Sequence, residues 1–250
     1  MRRRAPRRRA AARAPTNPAL RSTAPPENHE TSIARLESGL AALGIVNPRI
    51  VATRLLEFAG LLLEANLKTN LVGAKTLDAL IAPHLLDSLA PLVGIALAQP
   101  VVDLGSGAGL PGIPAAIAWP ELRFILIEPR SKRAAFLQRT VERLALHNVT
   151  VEQKTAQSAA RLGLAGRAGA VLARALAKPE RAIGLALPLL RPGGKLMLYL
   201  GRPPEPSRSE RKAIRSSSGR LVEARRIVVP NLSSQRHVWI IEREGDDGAV

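Results

Sequence analysis

The segment VVDLGSGAGLPGIP, Val101 to Pro114, limits what this chain can fold into more than any other stretch. A short apolar run ends at Asp103, Gly105, Gly107 and Gly109 follow within six residues, and Pro111 stands where a helix can start. Glycines suit such a turn because they adopt backbone conformations a side chain opposes and let a ligand approach the main chain closely. A strand, a glycine turn and a helix in this order predict an α/β unit with its ligand at the carboxyl edge of a sheet. The next strand-like run ends in Glu128, 23 residues beyond Gly105, where a carboxylate can accept both hydroxyls of a ribose.

Two cofactor classes fit that outline. Gly107, Gly109 and Gly112 also spell the G-x-G-x-x-G of dinucleotide-binding enzymes, so a nicotinamide oxidoreductase has to be weighed. Such enzymes place pyrophosphate on the loop and on the helix amino end, and a carboxylate at the loop's mouth would repel it. Asp103 is such a carboxylate, and it suits a cationic ligand. S-adenosyl-L-methionine carries an ammonium and a sulfonium but no phosphate, so it is the better match.

Around the loop the hydrophobic period changes. Ile33, Leu36, Leu40 and Leu43 recur at helical spacing up to the stop signal Gly44, a second helix is predicted over Pro48 to Ala65, and a short third one after Pro83. From Val101 onward, strands are predicted at Val101–Leu104, Arg123–Ile127, Val149–Gln153, Ala170–Ala173 and Lys195–Leu200. The helices between them are predicted near Pro111–Ala118, Ser131–Leu146 and Pro179–Leu190. That alternation predicts parallel βαβ units. Leu221–Val229 and His237–Glu242, joined by a turn around Pro230 and Asn231, predict a closing antiparallel hairpin, and a loop with a short helix is predicted between Arg202 and Gly219. The expected organisation is therefore a disordered Arg- and Pro-rich tail over 1–30, a helical cap over 31–95, a cofactor-binding domain over 96–243 and a flexible end at 244–250.

Charge and composition narrow the function. Lys plus Arg exceed Asp plus Glu by 37 − 20 = +17. Residues 1–26 hold eight Arg and no acid, which leaves 29 − 20 = +9 on the remaining residues. A basic body with a basic arm suits a polyanion, because each neutralised phosphate releases condensed counterions; a merely solubilising arm is the plainer reading. The chain has no cysteine, which excludes disulfides, thiolate metal sites and a cysteine nucleophile. The six aromatic residues leave few stacking platforms for bases, and no apolar run reaches the roughly 20 residues of a membrane span.

Beyond these local signals, the sequence resembles the RsmG (GidB) family of small-subunit ribosomal RNA guanine-N7 methyltransferases over residues 31–243. The resemblance is carried by NLKTNLVG at Asn66–Gly73, PHLLDSL at Pro83–Leu89, the glycine loop, SKRAAFL at Ser131–Leu137, LARALA at Leu172–Ala177, LLRPGGKL at Leu189–Leu196 and QRHVWII at Gln235–Ile241. It implies a Rossmann-like class I methyltransferase fold: a mostly parallel seven-stranded sheet with a C-terminal antiparallel hairpin and an N-terminal helical cap. It implies S-adenosyl-L-methionine as cofactor and 16S rRNA or the small ribosomal subunit as partner, for a cytoplasmic monomer with no metal. Cofactor contacts carry over to Asp103, Gly105, Gly107, Gly109, Leu110, Glu128, Ala156, Gln157 and Arg174. Asn70, His84, Asp87 and Ser88 lie in motifs that would close over the site, and the substrate candidates are Asn70, His84, Lys132, Arg133, Arg236 and His237. The chain departs from the family pattern at Gln157, where an acid is usual, at Leu200, where a lysine is common, and at Ala65 and Thr69, which replace aromatic residues.

Methyl transfer to guanine N7 needs no general base, since that nitrogen already presents a lone pair. In keeping with this, the sequence offers no His–Asp pair or metal cluster of catalytic character. His84 reads equally well as a core histidine, the arginines of the Ser131 helix as a solvated face, and His29 and His147 as surface residues. Besides rRNA, another RNA, a protein or a small molecule stands open as substrate, as does a silent RNA-binding module.

Overall fold

The computed structural model describes residues 29–201 and 205–245. The Arg-rich segment before His29 and the last five residues lie outside them; at the borders of the expected tail and end, His29 and Glu30 are helical and the Glu244 N–H donates to the Ser218 carbonyl at 2.9 Å.

The chain begins with α1 (His29–Ala42) and α2 (Pro48–Thr69), which pack on each other. The spacing expected for α1 holds: Ile33, Leu36 and Leu40 are buried, and Gly44 follows at φ 74. Pro48 occupies the first turn of α2, where a missing N–H costs nothing. α2 runs four residues beyond the expected Ala65, because its end is built by Asn66. The Asn66 Oδ1 accepts from the N–H groups of Leu71 (2.6 Å) and Val72 (3.0 Å), while its Nδ2 donates to the carbonyls of Val72 (2.9 Å) and Ala74 (3.1 Å). Asn70, left-handed at φ 45, closes the helix.

The third helical element starts before Pro83, at α3 (Leu77–Leu80), whose Thr76 hydroxyl accepts from the Ala79 N–H. It widens into a π-helical turn, Ile81–Leu86, and continues as α4 (Asp87–Leu89) and a 3₁₀ turn, Ala90–Leu92. Pro83 has no N–H to give, and the wider turn accommodates it without ending the element. Gly39 of α1 lies directly against Leu86, so the cap is closely packed within itself.

The remainder is one seven-stranded sheet: β1 (Val101–Leu104), β2 (Phe124–Ile127), β3 (Val149–Glu152), β4 (Ala168–Arg174), β5 (Leu190–Leu200), β6 (Gly219–Ile227) and β7 (Arg236–Arg243). Their order is β3-β2-β1-β4-β5-β7-β6, with β1 to β5 parallel and β7 antiparallel to both its neighbours. The sheet is mostly parallel with its last strand reversed, the arrangement expected from the sequence. α5 (Gly112–Ala118) and α6 (Ser131–Arg143) share one core with α1 and α2. α8 (Pro179–Ala186) and α9 (Arg208–Ser216) share another across the sheet, with short α7 (Ala156–Ala159) on that side. Successive strand residues face opposite cores: Val101 belongs to the first, Val102 and Leu104 to the second. A central strand covered on both faces has to be apolar throughout, and Asp103 is the exception in β1.

Candidate functional site

The strand order reverses at β1, between β2 and β4, and ligands of open α/β sheets bind outside the carboxyl ends of the strands at such a point. The glycine loop occupies it. The N–H groups of Gly105 and Ser106 both donate to the Ile127 carbonyl, at 2.9 and 3.1 Å, which ties the loop's start to the end of β2. Gly105, Gly107 and Gly109 then have φ of 78, 55 and 84, and the Gly109 N–H donates to the Ser106 carbonyl at 2.7 Å. At Gly109 a side chain is excluded twice over, since a Cβ there would stand 2.8 Å from Ile113 Cγ1 and 3.1 Å from Leu137 Cδ2.

The two carboxylates read from the sequence flank this loop in different ways. Glu128 is buried; its Oε2 accepts from the Gly107 N–H and its Oε1 from the Arg130 N–H, both at 2.9 Å. Each oxygen retains a lone pair, so the carboxylate holds the loop and can still accept from a diol. Asp103 does not stand at the loop's mouth, as the sequence suggested, but beneath the loop at 1% exposure. Its Oδ2 accepts from the Gly112 N–H at the start of α5, at 3.1 Å. Burial pushes its pKa up to about 7, against the pull of Ser106, Gly112 and Arg174.

Arg174, at the carboxyl end of β4, reaches up into the cap. Its guanidinium donates to the Pro83 carbonyl (3.0 Å) and the Ser88 hydroxyl (3.0 Å), and pairs with Asp87 Oδ2 at 2.9 Å. Arg236, the first residue of β7, donates from Nε to Asp87 Oδ1 at 2.9 Å. The Tyr199 hydroxyl of β5 donates to the Ser88 carbonyl at 2.8 Å. Three strands thus clasp the π-helical turn and α4 over the sheet edge. Burial raises the Asp87 carboxyl and the two guanidiniums oppose that rise. His84 lies in the same seam; burial first, then Arg174 and Arg236, lower its pKa to about 4, so it is neutral at physiological pH.

The other sequence candidates are placed unevenly. Arg133 borders the loop, its guanidinium 3.7 Å from where a Cβ of Gly107 would be, and Lys132 is exposed beside it at the start of α6. Ala156 and Gln157 open α7 behind the capping box of Thr155 and Ser158, Gln157 exposed and Ala156 half-buried, while Leu110 packs its side chain partly into the core. Arg236 and His237, read as RNA contacts, are otherwise engaged: Arg236 in the seam, and His237 buried opposite Leu200 with its Nδ1 lacking a partner. Asn70 is exposed, in a separate hollow with Leu67, Val72 and Lys75. Sequence reading did not single out Tyr199, the only tyrosine of the chain, nor the bracing role of Asn66. Among the described residues no group of three or more His, Asp or Glu is arranged to hold a metal, and no helix is long and apolar enough to cross a membrane.

Residues 52–238 match the family GidB, described as rRNA small subunit methyltransferase G. Ribosomal RNA small subunit methyltransferase G of Aromatoleum aromaticum is 36% identical over 216 residues, 85% of this chain and 99% of the relative. The Neisseria meningitidis serogroup B protein of that name is 33% identical over 84% of this chain and 97% of its own. That of Stenotrophomonas maltophilia is 36% identical over 82% and 92%. With the glycine loop, both carboxylates and the clasped seam inside the matched span, this chain belongs to the rRNA small subunit methyltransferase G family.

Proposed function

We propose that the chain is an S-adenosyl-L-methionine-dependent methyltransferase that modifies N7 of a guanine in 16S rRNA, as a cytoplasmic monomer. Residues 96–243 form the methyl-transfer unit in this reading and residues 31–95 its cap. The observation that carries it is Glu128, a buried carboxylate held against the glycine loop by two backbone N–H groups with acceptor capacity to spare.

The residues present fit the cofactor. Glu128 would accept from the ribose hydroxyls, the loop from Gly105 to Leu110 would lie along the donor, and Ala156 and Gln157 would meet the adenine with an amide in place of a carboxylate. Asp103, within the field of Arg174, is poised between its charged and neutral forms and would be drawn to the charged one by a cationic ligand. When bound, the cofactor supplies an electrophilic methyl that a nitrogen lone pair can take, sulfur keeping the bonding electrons.

The chain's own contribution is position and surroundings. Guanine N7 needs no proton removed, so no residue has to act as a base, and neutral His84 fits a site whose polar groups orient substrate. The clasp of Arg174, Arg236 and Tyr199 on the cap fixes the roof over the sheet edge, and Arg133 and Lys132 offer phosphate contacts beside it.

Incubation with labelled S-adenosylmethionine and small subunits or 16S rRNA lacking the modification, followed by mapping of the methylated base, tests the reading. Label at a guanine N7 is expected. Label on another base, or none despite cofactor binding, rejects it.

A further inference from the structure

α9 carries a basic face that the site described above does not use. Arg208, Arg211, Lys212 and Arg215 stand at i, i+3, i+4 and i+7, so they share one side of the helix, and all four are exposed. The opposite side is turned inward: Ile214 is buried in the core with Trp239 and Ile241, and so is Glu210, the helix's only acid. Glu210 is committed there, its Oε2 accepting from the Ser207 N–H at 2.7 Å. Some exposed or half-exposed cations, among them Arg35, Arg49 and Arg220, have a carboxylate within ion-pair distance, whereas others, such as Lys132 and Arg139, have none among the described residues; what sets α9 apart is four cations on one face of one helix. None of these four has such a carboxylate among the described residues. Like charges at these spacings repel one another, so the face suits a negative partner; within the described residues Glu205 and Glu244 line a hollow with Arg211 and Arg215, and no acid lines the rest of the face.

The fold says where that partner would lie. The Ser209 hydroxyl donates to Glu180 Oε1 in the first turn of α8 at 2.8 Å, and α8 starts five residues beyond Arg174. The amino end of α9 therefore sits at the carboxyl edge of the sheet, and its cations lead away from that edge over roughly 10 Å. α6, with Lys132 and Arg133, packs on the other face of the sheet, since Phe136 and Leu137 belong to one core and Ile214 to the other. Two basic helices thus flank the same edge from opposite sides.

We propose that the α9 face is a second RNA-backbone contact surface, gripping phosphates on the side of the sheet opposite α6. The proposal rests on the rRNA methyltransferase reading and adds to it a partner surface that the cofactor site does not require. Four cations on phosphates release counterions, so their signature is the salt dependence of binding and not base preference.

The test compares the full chain with the variant Arg208→Gln, Arg211→Gln, Lys212→Gln, Arg215→Gln, titrating binding to protein-free 16S rRNA between about 50 and 200 mM salt. The slope of log affinity against log salt is expected to fall in magnitude by about 2 to 4, with affinity down roughly 10- to 100-fold at the lower salt. Calorimetric affinity for S-adenosylmethionine is expected to be unchanged, which excludes misfolding. A second variant, Arg208→Lys, Arg211→Lys, Arg215→Lys, is expected to keep the original slope. An unchanged slope in the glutamine variant, with methylation by the unaltered chain intact, overturns the α9 proposal alone. Weakened binding to intact subunits without weakened binding to protein-free RNA also overturns it, in favour of an acidic protein surface. RNA that the unaltered chain neither binds nor methylates overturns both readings.

Discussion

Arg174 at the end of β4 and Asp87 in the cap meet at 2.9 Å, across 87 positions of sequence, and Arg236 closes on the other oxygen of the same carboxylate. The carboxylate is almost wholly buried, whereas both guanidiniums keep some contact with water. Removing the acid would leave two cations facing each other in a poorly solvated seam. Asp87→Asn is therefore expected to lower unfolding stability by about 3 kcal/mol, the lower part of the range for breaking a buried pair. Denaturant titration checks it; a change within experimental scatter would mean that the cap is held by apolar packing alone.

Asp103 gives a pH signature. Its pKa in the fold is raised to about 7 from 3.8, chiefly by burial. The folded state thus binds the proton more tightly than the unfolded chain. This group's stabilising contribution is complete below the unfolded value and is lost as pH rises through about 7. A cationic ligand nearby would expel the proton. Calorimetry of S-adenosylmethionine near pH 7 in buffers of different ionisation enthalpy is expected to show release of up to about half a proton, abolished in Asp103→Asn. Identical enthalpies in all buffers for the unaltered chain would show that Asp103 does not sense the ligand's charge.

Glu128→Gln keeps the shape and removes half of the acceptor capacity, so the N–H of Gly107 or of Arg130 would face an amide NH₂. Cofactor affinity is expected to fall roughly 10- to 100-fold, from one lost hydrogen bond to a charged group. Titration with the demethylated cofactor product reads this binding without turnover.

Gly109 of the loop and Gly60 of the cap should respond oppositely to alanine. Gly109 has φ 84 and no room for a Cβ, so Gly109→Ala is expected to cost about 1 to 3 kcal/mol. Gly60 lies exposed within α2 with open space around it, and Gly60→Ala is expected to stabilise by about 0.5 to 1 kcal/mol. Thermal unfolding of the two variants separates them by sign.

How far the site could be read from sequence follows from how local each signal is. The strand ending at Asp103, the glycine turn and the carboxylate of Glu128 lie in one short segment, and backbone sterics demand glycine there whatever the rest of the chain does. The strand periods likewise announced the sheet and its closing hairpin. The seam was not legible in this way, because Asp87, Arg174, Tyr199 and Arg236 come from distant segments and no spacing rule links them. Arg236 looked like a free cation for RNA until the sheet brought it to Asp87. The depth of Asp103 was hidden for a similar reason: position in a strand gives the face, but only the packing of α5 upon it gives the burial. The π-helical turn around Pro83 has no sequence period of its own.

The place of β7 between β5 and β6 has a consequence for biosynthesis. A ribosome making this chain delivers β6 before the strand that must separate it from β5, so β6 lacks its native neighbour, and β5 shows an open edge, until residues 236–243 emerge. The same late segment brings Arg236, and with it the second grip on Asp87. The clasp on the cap is therefore assembled in chain order, Arg174 and Tyr199 first and Arg236 later, and a nascent chain stalled before β7 would hold the cap by the first two grips alone.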